Sequence, residues 1–131
     1  MIKPDQAIAR ARASRRRFLL DLAEFLRFPS VSSRPEHRTD VQRCAEWLAE
    51  HLRRIGLDQV VIVPTARHPI VYAQLLRAPD RPTLLIYGHY DVQPADDRSQ
   101  WCSPPFAPAL SDGAIYARGA SDDKGQLLIH L

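Results

Sequence analysis

The stretch that decides the reading of this chain is PTLLIYGHYDVQP, Pro82 to Pro94. Its first half is a nearly unbroken apolar run, the pattern of a β-strand covered on both faces. Its second half places a histidine and an aspartate two positions apart, and Pro94 closes it. In an extended chain, residues i and i+2 point to the same side, so His89 and Asp91 can converge on one place. A neutral imidazole is a good zinc ligand, and a carboxylate behind it fixes the ring and raises its basicity. Taken alone, His-x-Asp is a weak signal and reads somewhat better as a strand-end histidine followed by a turn aspartate.

Downstream, VQPADDRSQWCSPPFAPALSDG holds too many prolines for regular structure. A loop of that length is functional or disordered more often than not, and Trp101 and Phe106 predict that it packs down on something. GAIYARG then reads as a short strand, ASDDKG as a turn and QLLIHL as the start of a helix. Asp122 and Asp123 could cap that helix. Two adjacent carboxylates at a helix start also suit a metal ion. A phosphate loop is excluded, because Lys124-Gly125 is followed by Gln126 where that motif needs Ser or Thr.

Upstream, LDQVVIVPT and HPIVYAQLLRA are further strand candidates before RPTLLIYGHYD. Two helices precede them. The first is expected from Asp5 to Arg27, with Phe18, Leu22, Phe25 and Leu26 at helical spacing, and Pro29 ends it. The second opens on Thr39 and Gln42, a capping-box pair, and carries Val41, Ala45, Leu48, Leu52 and Ile55 on one stripe up to Gly56. Helices alternating with apolar strands predict an α/β sandwich with a mostly parallel or mixed sheet flanked by helices. In such sheets ligands sit at the carboxyl ends of strands, where His89 and Asp91 fall.

The bulk numbers set limits. The chain has 131 residues, 45% hydrophobic and 25% charged, which suits one ordinary soluble domain. No apolar run reaches the roughly 20 residues of a membrane helix, and the N-terminus lacks a signal-peptide core, so the cytoplasm is the expected compartment. The net charge of +3 owes much to RARASRRR, which reads as a solvated helix face rather than a nucleic-acid patch. Cys44 falls on the apolar stripe side of the second helix as a core thiol, and no disulfide framework is implied.

Taken as a series, YGHYDVQP, WCSPPF and DGAIYARGASDDKG resemble the co-catalytic zinc aminoacylase and dipeptidase family. Its members include carnosinase-like dipeptidases, acetylornithine deacetylase and succinyl-diaminopimelate desuccinylase. The carnosinase-like branch is the nearest in pattern, and LRFPSVSS is similar to the segment ending the family's first helix. Ala117 departs from the family's usual glycine, away from any ligand. The resemblance implies a two-zinc hydrolase of peptide or amide bonds in dipeptides or N-acyl amino acids, with Co2+ or Mn2+ as alternative metals. It implies His89 as a ligand of one zinc, Asp122 as the carboxylate bridging both, and Asp91 as the active-site aspartate that steers His89. It also implies a cis peptide bond between Asp122 and Asp123.

The same resemblance exposes a gap. The family's Glu-Glu pair, its further acidic ligand and its later histidine have no counterpart here. Glu24, Glu36, Glu46 and Glu50 all precede the metal motifs, and His130 reads as a surface or packing residue. Residues 1–131 are therefore expected to form the N-terminal part of a zinc-peptidase-type catalytic domain, truncated and inactive alone. The dimerisation domain and C-terminal half of a homodimeric parent would lie elsewhere. The alternative is a non-catalytic α/β binding module, a pseudo-enzyme remnant.

Overall fold

The computed structural model describes residues 3–131. Its core forms where two helices cross beside a hairpin. Helix α1 (Pro4–Ala13) and helix α2 (Arg15–Leu26) replace the single helix expected from Asp5 to Arg27. The break falls at Ser14, whose ψ of 2° leaves the helical range. Helix α1 buries no residue, so no packing holds the two segments in line. Helix α2 buries Phe25 and Leu26 at its end, just before Pro29 prevents continuation.

Helix α3 (Arg38–Arg54) follows a 3-10 turn, Pro35–His37. Its stripe is as expected: Val41, Ala45, Leu48 and Leu52 are buried, together with Cys44, Ala49 and His51. The predicted capping box does not form. The 3-10 turn runs straight into the helix, so Thr39 lies inside it, and His37 Nδ1 pairs with Asp40 Oδ2 at 2.7 Å. Trp47 fills the seam between α2 and α3, stacked on Phe25 at 4.9 Å between ring centres and on His51 at 5.1 Å. Gly56, with φ of +96°, ends the helix in the left-handed conformation that glycine adopts without strain.

Strands β1 (Asp58–Val63) and β2 (Ile70–Gln74) pair antiparallel, with an irregularity between Asp58 and Val61 where Gln59 takes a φ of 47°. They lie against α3, with Val60, Val71 and Ala73 packed on the core. Strands β3 (Ala109–Ser111) and β4 (Ala114–Tyr116) form a second antiparallel pair. Their turn residues Asp112 and Gly113 both have positive φ, as a two-residue hairpin requires. Helix α4 (Lys124–Ile129) completes the chain of elements.

The mixed helix–strand class holds, but the expected mostly parallel or mixed sheet is not present among the described residues. Both ladders are antiparallel and each has two strands. The third strand candidate runs without a ladder partner among the described residues. Leu84, Leu85 and Tyr87 are 82%, 85% and 89% exposed, although their pattern is that of a strand covered on both faces.

The proline-rich loop after it does pack down. The Trp101 indole N–H donates to the Ala95 carbonyl at 3.1 Å, the Arg118 guanidinium lies 5.0 Å from the Trp101 ring, and Arg118 N donates to the Pro105 carbonyl. Cys44 is buried and Cys102 exposed, with no disulfide. Among the described residues no helix is long and apolar enough to cross a membrane.

Candidate metal centre

Three segments distant in sequence meet at the candidate site: the loop after α2, the HYDV stretch and the turn before α4. The loop after α2 cannot continue the helix past Pro29, so its polar groups turn outward to find partners. The buried Ser30 hydroxyl donates to the Tyr90 carbonyl at 2.7 Å, and Val92 N donates back to the Ser30 carbonyl at 2.9 Å. The Ser32 hydroxyl donates to Asp91 Oδ2. His68 Nε2–H donates to the Ser32 carbonyl at 2.9 Å. Tyr90 is enclosed, its hydroxyl donating to the Pro69 carbonyl; burial first, then the nearby Cys44 and Asp91, push its pKa up to about 12.

The turn before α4 is tied to the same loop by Lys124. This residue is fully buried, and its ammonium donates to the Phe25 carbonyl at 3.0 Å and the Phe28 carbonyl at 2.8 Å. Those are carbonyls at the end of α2, where the helix dipole favours a cation. The ammonium also lies 5.0 Å from the Phe25 ring centre. Burial holds the Lys124 pKa below its usual value, and burial likewise raises that of the Cys44 thiol.

With both turns anchored, the sequence-predicted residues come together. His89 Nδ1 lies 3.1 Å from Asp91 Oδ1, and His89 Nε2 lies 3.1 Å from Asp122 Oδ1, across a separation of 33 residues. The Asp122–Asp123 peptide is cis. Asp123 occupies the N-cap position of α4 but makes no side-chain cap bond; its Oδ2 accepts from His89 N at 3.0 Å instead. The bland reading, a carboxylate that merely caps a helix, therefore fails for Asp123. Close approach of the two turns requires glycine. A Cβ on Gly88 would stand 2.8 Å from Asp123 Oδ2 and 2.9 Å from Leu127 Cδ1, and one on Gly125 would overlap the Ala120 carbonyl oxygen.

The electrostatics follow. Partial burial works against a charged His89 ring, but the hydrogen bond to Asp91 and the charges of Asp91, Asp123 and Asp122 outweigh it and hold its pKa above the ordinary value. Such a surplus of negative charge around one imidazole is also what a divalent cation needs. The geometry fits one. Across a tetrahedral zinc with bonds of about 2.0–2.1 Å, two ligand atoms stand roughly 3.3 Å apart. His89 Nε2 and Asp122 Oδ1 are 3.1 Å apart, with the two side chains 42% and 75% exposed. Among the described residues, no group of three or more His, Cys, Asp or Glu side chains is arranged to hold a metal ion. The chain thus offers a pair of donors, with Asp91 behind the histidine.

The structure brings the three sequence-predicted residues His89, Asp91 and Asp122 within hydrogen-bonding distance. Sequence reasoning gave no role to Asp123, Ser32 or Lys124 in organising them. One signal for Lys124 was available: it shares a helical face with Leu127, Leu128 and Leu131, all packed on the core.

Fold and site together resemble a segment of a metallopeptidase-type α/β domain. The model of peptidase family M20/M25/M40 matches residues 85–131. The chain is 36% identical over 124 residues to a cysteinylglycine-S-conjugate dipeptidase of Corynebacterium striatum, covering 90% of this chain and 26% of that one. The structure of human carnosine dipeptidase 1 superimposes with a TM-score of 0.86 at 30% identity, over 95% of this chain and 28% of that one. An M20 family metallo-carboxypeptidase of Sulfolobus solfataricus matches with a TM-score of 0.74 at 41% identity, over 85% and 24%. The chain therefore spans about a quarter of the length of the relatives it matches.

Proposed function

We propose that these 131 residues carry the His–Asp half of a two-metal centre in an enzyme that hydrolyses peptide or amide bonds in dipeptides or N-acyl amino acids. The observation that carries this reading is the meeting of His89 Nε2 and Asp122 Oδ1 at 3.1 Å, with Asp91 on the opposite ring nitrogen. The names of the relatives, dipeptidases and a metallo-carboxypeptidase, support the reaction class.

In this reading His89 would hold one zinc through Nε2, and Asp122 would help to hold both metals. Co2+ or Mn2+ would serve in place of zinc. The chemistry that the metals supply when bound is activation of a water and polarisation of the scissile carbonyl. Asp91 keeps the proton of His89 on Nδ1, so that the Nε2 lone pair faces the metal. Asp123 fixes the backbone of His89, and Lys124 holds the turn that carries Asp122. No glutamate of this chain stands beside the pair, so the general base and the remaining ligands come from polypeptide outside these residues. Residues 1–131 then form part of a catalytic domain rather than a complete one.

Zinc titration by calorimetry tests this. We expect one weak event, of micromolar affinity or poorer, lost in both His89→Ala and Asp122→Asn, and no hydrolysis of cysteinylglycine by the chain alone. Binding that survives both substitutions would sink the assignment. Submicromolar affinity would show that the chain holds more ligands than this pair.

A further inference from the structure

We propose that Ser32 is a positioning residue for the candidate metal centre: it fixes the Asp91 carboxylate that, with the Asp91 carbonyl, orients the His89 ring. The proposal rests on the reading of His89 as a ligand, and its geometric core stands apart from any metal.

The Asp91 carboxylate has two oxygens and two side-chain donors. Oδ2 accepts from the Ser32 hydroxyl, and Oδ1 lies 3.1 Å from His89 Nδ1. A carboxylate held by the histidine alone can turn about its two side-chain bonds. With a second donor on the other oxygen, its plane is fixed. His89 Nδ1 then has two acceptors from one residue, the Asp91 carbonyl at 3.2 Å and the fixed Oδ1 at 3.1 Å, while Nε2 lies 3.1 Å from Asp122 Oδ1.

Ser32 can do this because its own backbone is fixed. The Ser32 carbonyl accepts from His68 Nε2 at 2.9 Å, and two residues earlier the buried Ser30 is bonded to Tyr90 and Val92 through both its hydroxyl and its carbonyl. The Phe28 carbonyl, on the same short segment, takes the Lys124 ammonium at 2.8 Å. One loop therefore touches both turns that bear the metal-binding side chains: Lys124 fixes the Asp122 turn to it, and Ser32 fixes the partner of His89. The division of labour matters for the test. Ser30 ties its loop to the backbone of Tyr90 and Val92, whereas the Ser32 hydroxyl reaches the Asp91 side chain.

The experiment compares Ser32→Thr with Ser32→Val, which share a shape and differ by the hydroxyl. In the metal-free protein at alkaline pH, long-range proton–nitrogen NMR reads the tautomer of His89. Wild type and Ser32→Thr should show the same balance of Nδ1–H and Nε2–H forms. Ser32→Val should shift that balance away from Nδ1–H with an unchanged amide spectrum elsewhere, and its zinc affinity should fall about tenfold, the lower end of the usual effect of removing such a partner. Ser32→Ala, smaller than the native residue, repeats the comparison should the valine protein not fold. A wild-type tautomer balance and undiminished zinc binding in the hydroxyl-free variants would overturn the proposal. If the tautomer responds to Ser32 while wild type binds no zinc, the positioning role stands and the metal assignment falls.

Discussion

Replacing Lys124 by methionine isolates the contribution of one buried cation. The two side chains have similar length, so the change removes the ammonium with little change in packing volume. Two hydrogen bonds disappear, to the Phe25 carbonyl at 3.0 Å and the Phe28 carbonyl at 2.8 Å, and both acceptors lose a charged donor at the end of a helix. A buried acceptor left without a partner costs about 1–3 kcal/mol, and loss of a cation at a partly buried helix C-terminus adds up to about 2 kcal/mol. Against this stands relief of desolvation. Burial lowers the Lys124 pKa, so between its folded and unfolded values the unfolded chain binds more protons and stability rises with pH. The charge itself is thus a burden that methionine removes. The net expectation is a loss of about 2 kcal/mol at neutral pH, a large share of the total for a domain of this size. Urea denaturation followed by far-UV circular dichroism measures it, and the lost stability should appear as a lower midpoint at unchanged slope. A methionine variant as stable as wild type, within about 0.5 kcal/mol, would refute the claim that Lys124 ties the Asp122 turn to helix α2.

Three further outcomes follow from the same geometry. His51 is buried against Trp47, and burial, then Arg54, lowers its pKa; its contribution is therefore complete above the unfolded value of about 6.5 and is lost as pH falls from there toward the folded value. Urea midpoints should drop between pH 7.5 and pH 5 by less in His51→Gln than in wild type, and an equal drop would exclude His51 as the source. Gly88→Ala places a Cβ 2.8 Å from Asp123 Oδ2, so it should destabilise by about 1–3 kcal/mol and displace the His89 amide resonance; an unaltered resonance would mean that the two turns are not in contact. Leu84, Leu85 and Tyr87 lie along an extended segment without a ladder, and exposed apolar edges associate. Sedimentation should show concentration-dependent self-association that Leu85→Lys reduces, whereas a monomer at all concentrations would contradict it.

The site was more legible than the sheet. His89 and Asp91 are neighbours in sequence, and alternation in an extended chain suffices to bring them together. Asp122 could be joined to them because its motif and theirs form a recognisable series. The pairing of PTLLIY could not be read in the same way. Apolar residues on successive positions report that a strand is covered, but not by which residues, and here the only ladder β1 and β2 form among the described residues is with each other. The long first helix misled for a related reason. Arg-rich sequence supports helix locally, yet nothing packs on α1 to hold it in line with α2 past Ser14. Ser32 and Ser30 escaped notice because FPSVSS reads as an ordinary loop. Their partners, Asp91 and Tyr90, lie 59 and 60 residues further on.

Those separations have a consequence for how the protein acquires its site. The Lys124–Phe25 bond spans 99 residues, and the Ser32–Asp91 bond 59. Closing loops of this length carries an entropy cost that local helix formation does not. Helix α3 and the β1–β2 hairpin can form from nearby residues, whereas the arrangement around His89 exists only once α2, its loop and both later turns have docked. Contacts of such high sequence separation form slowly and late. The His89–Asp122 pair is therefore a product of the finished fold, and in a denaturant titration its geometry should vanish together with the core rather than before it.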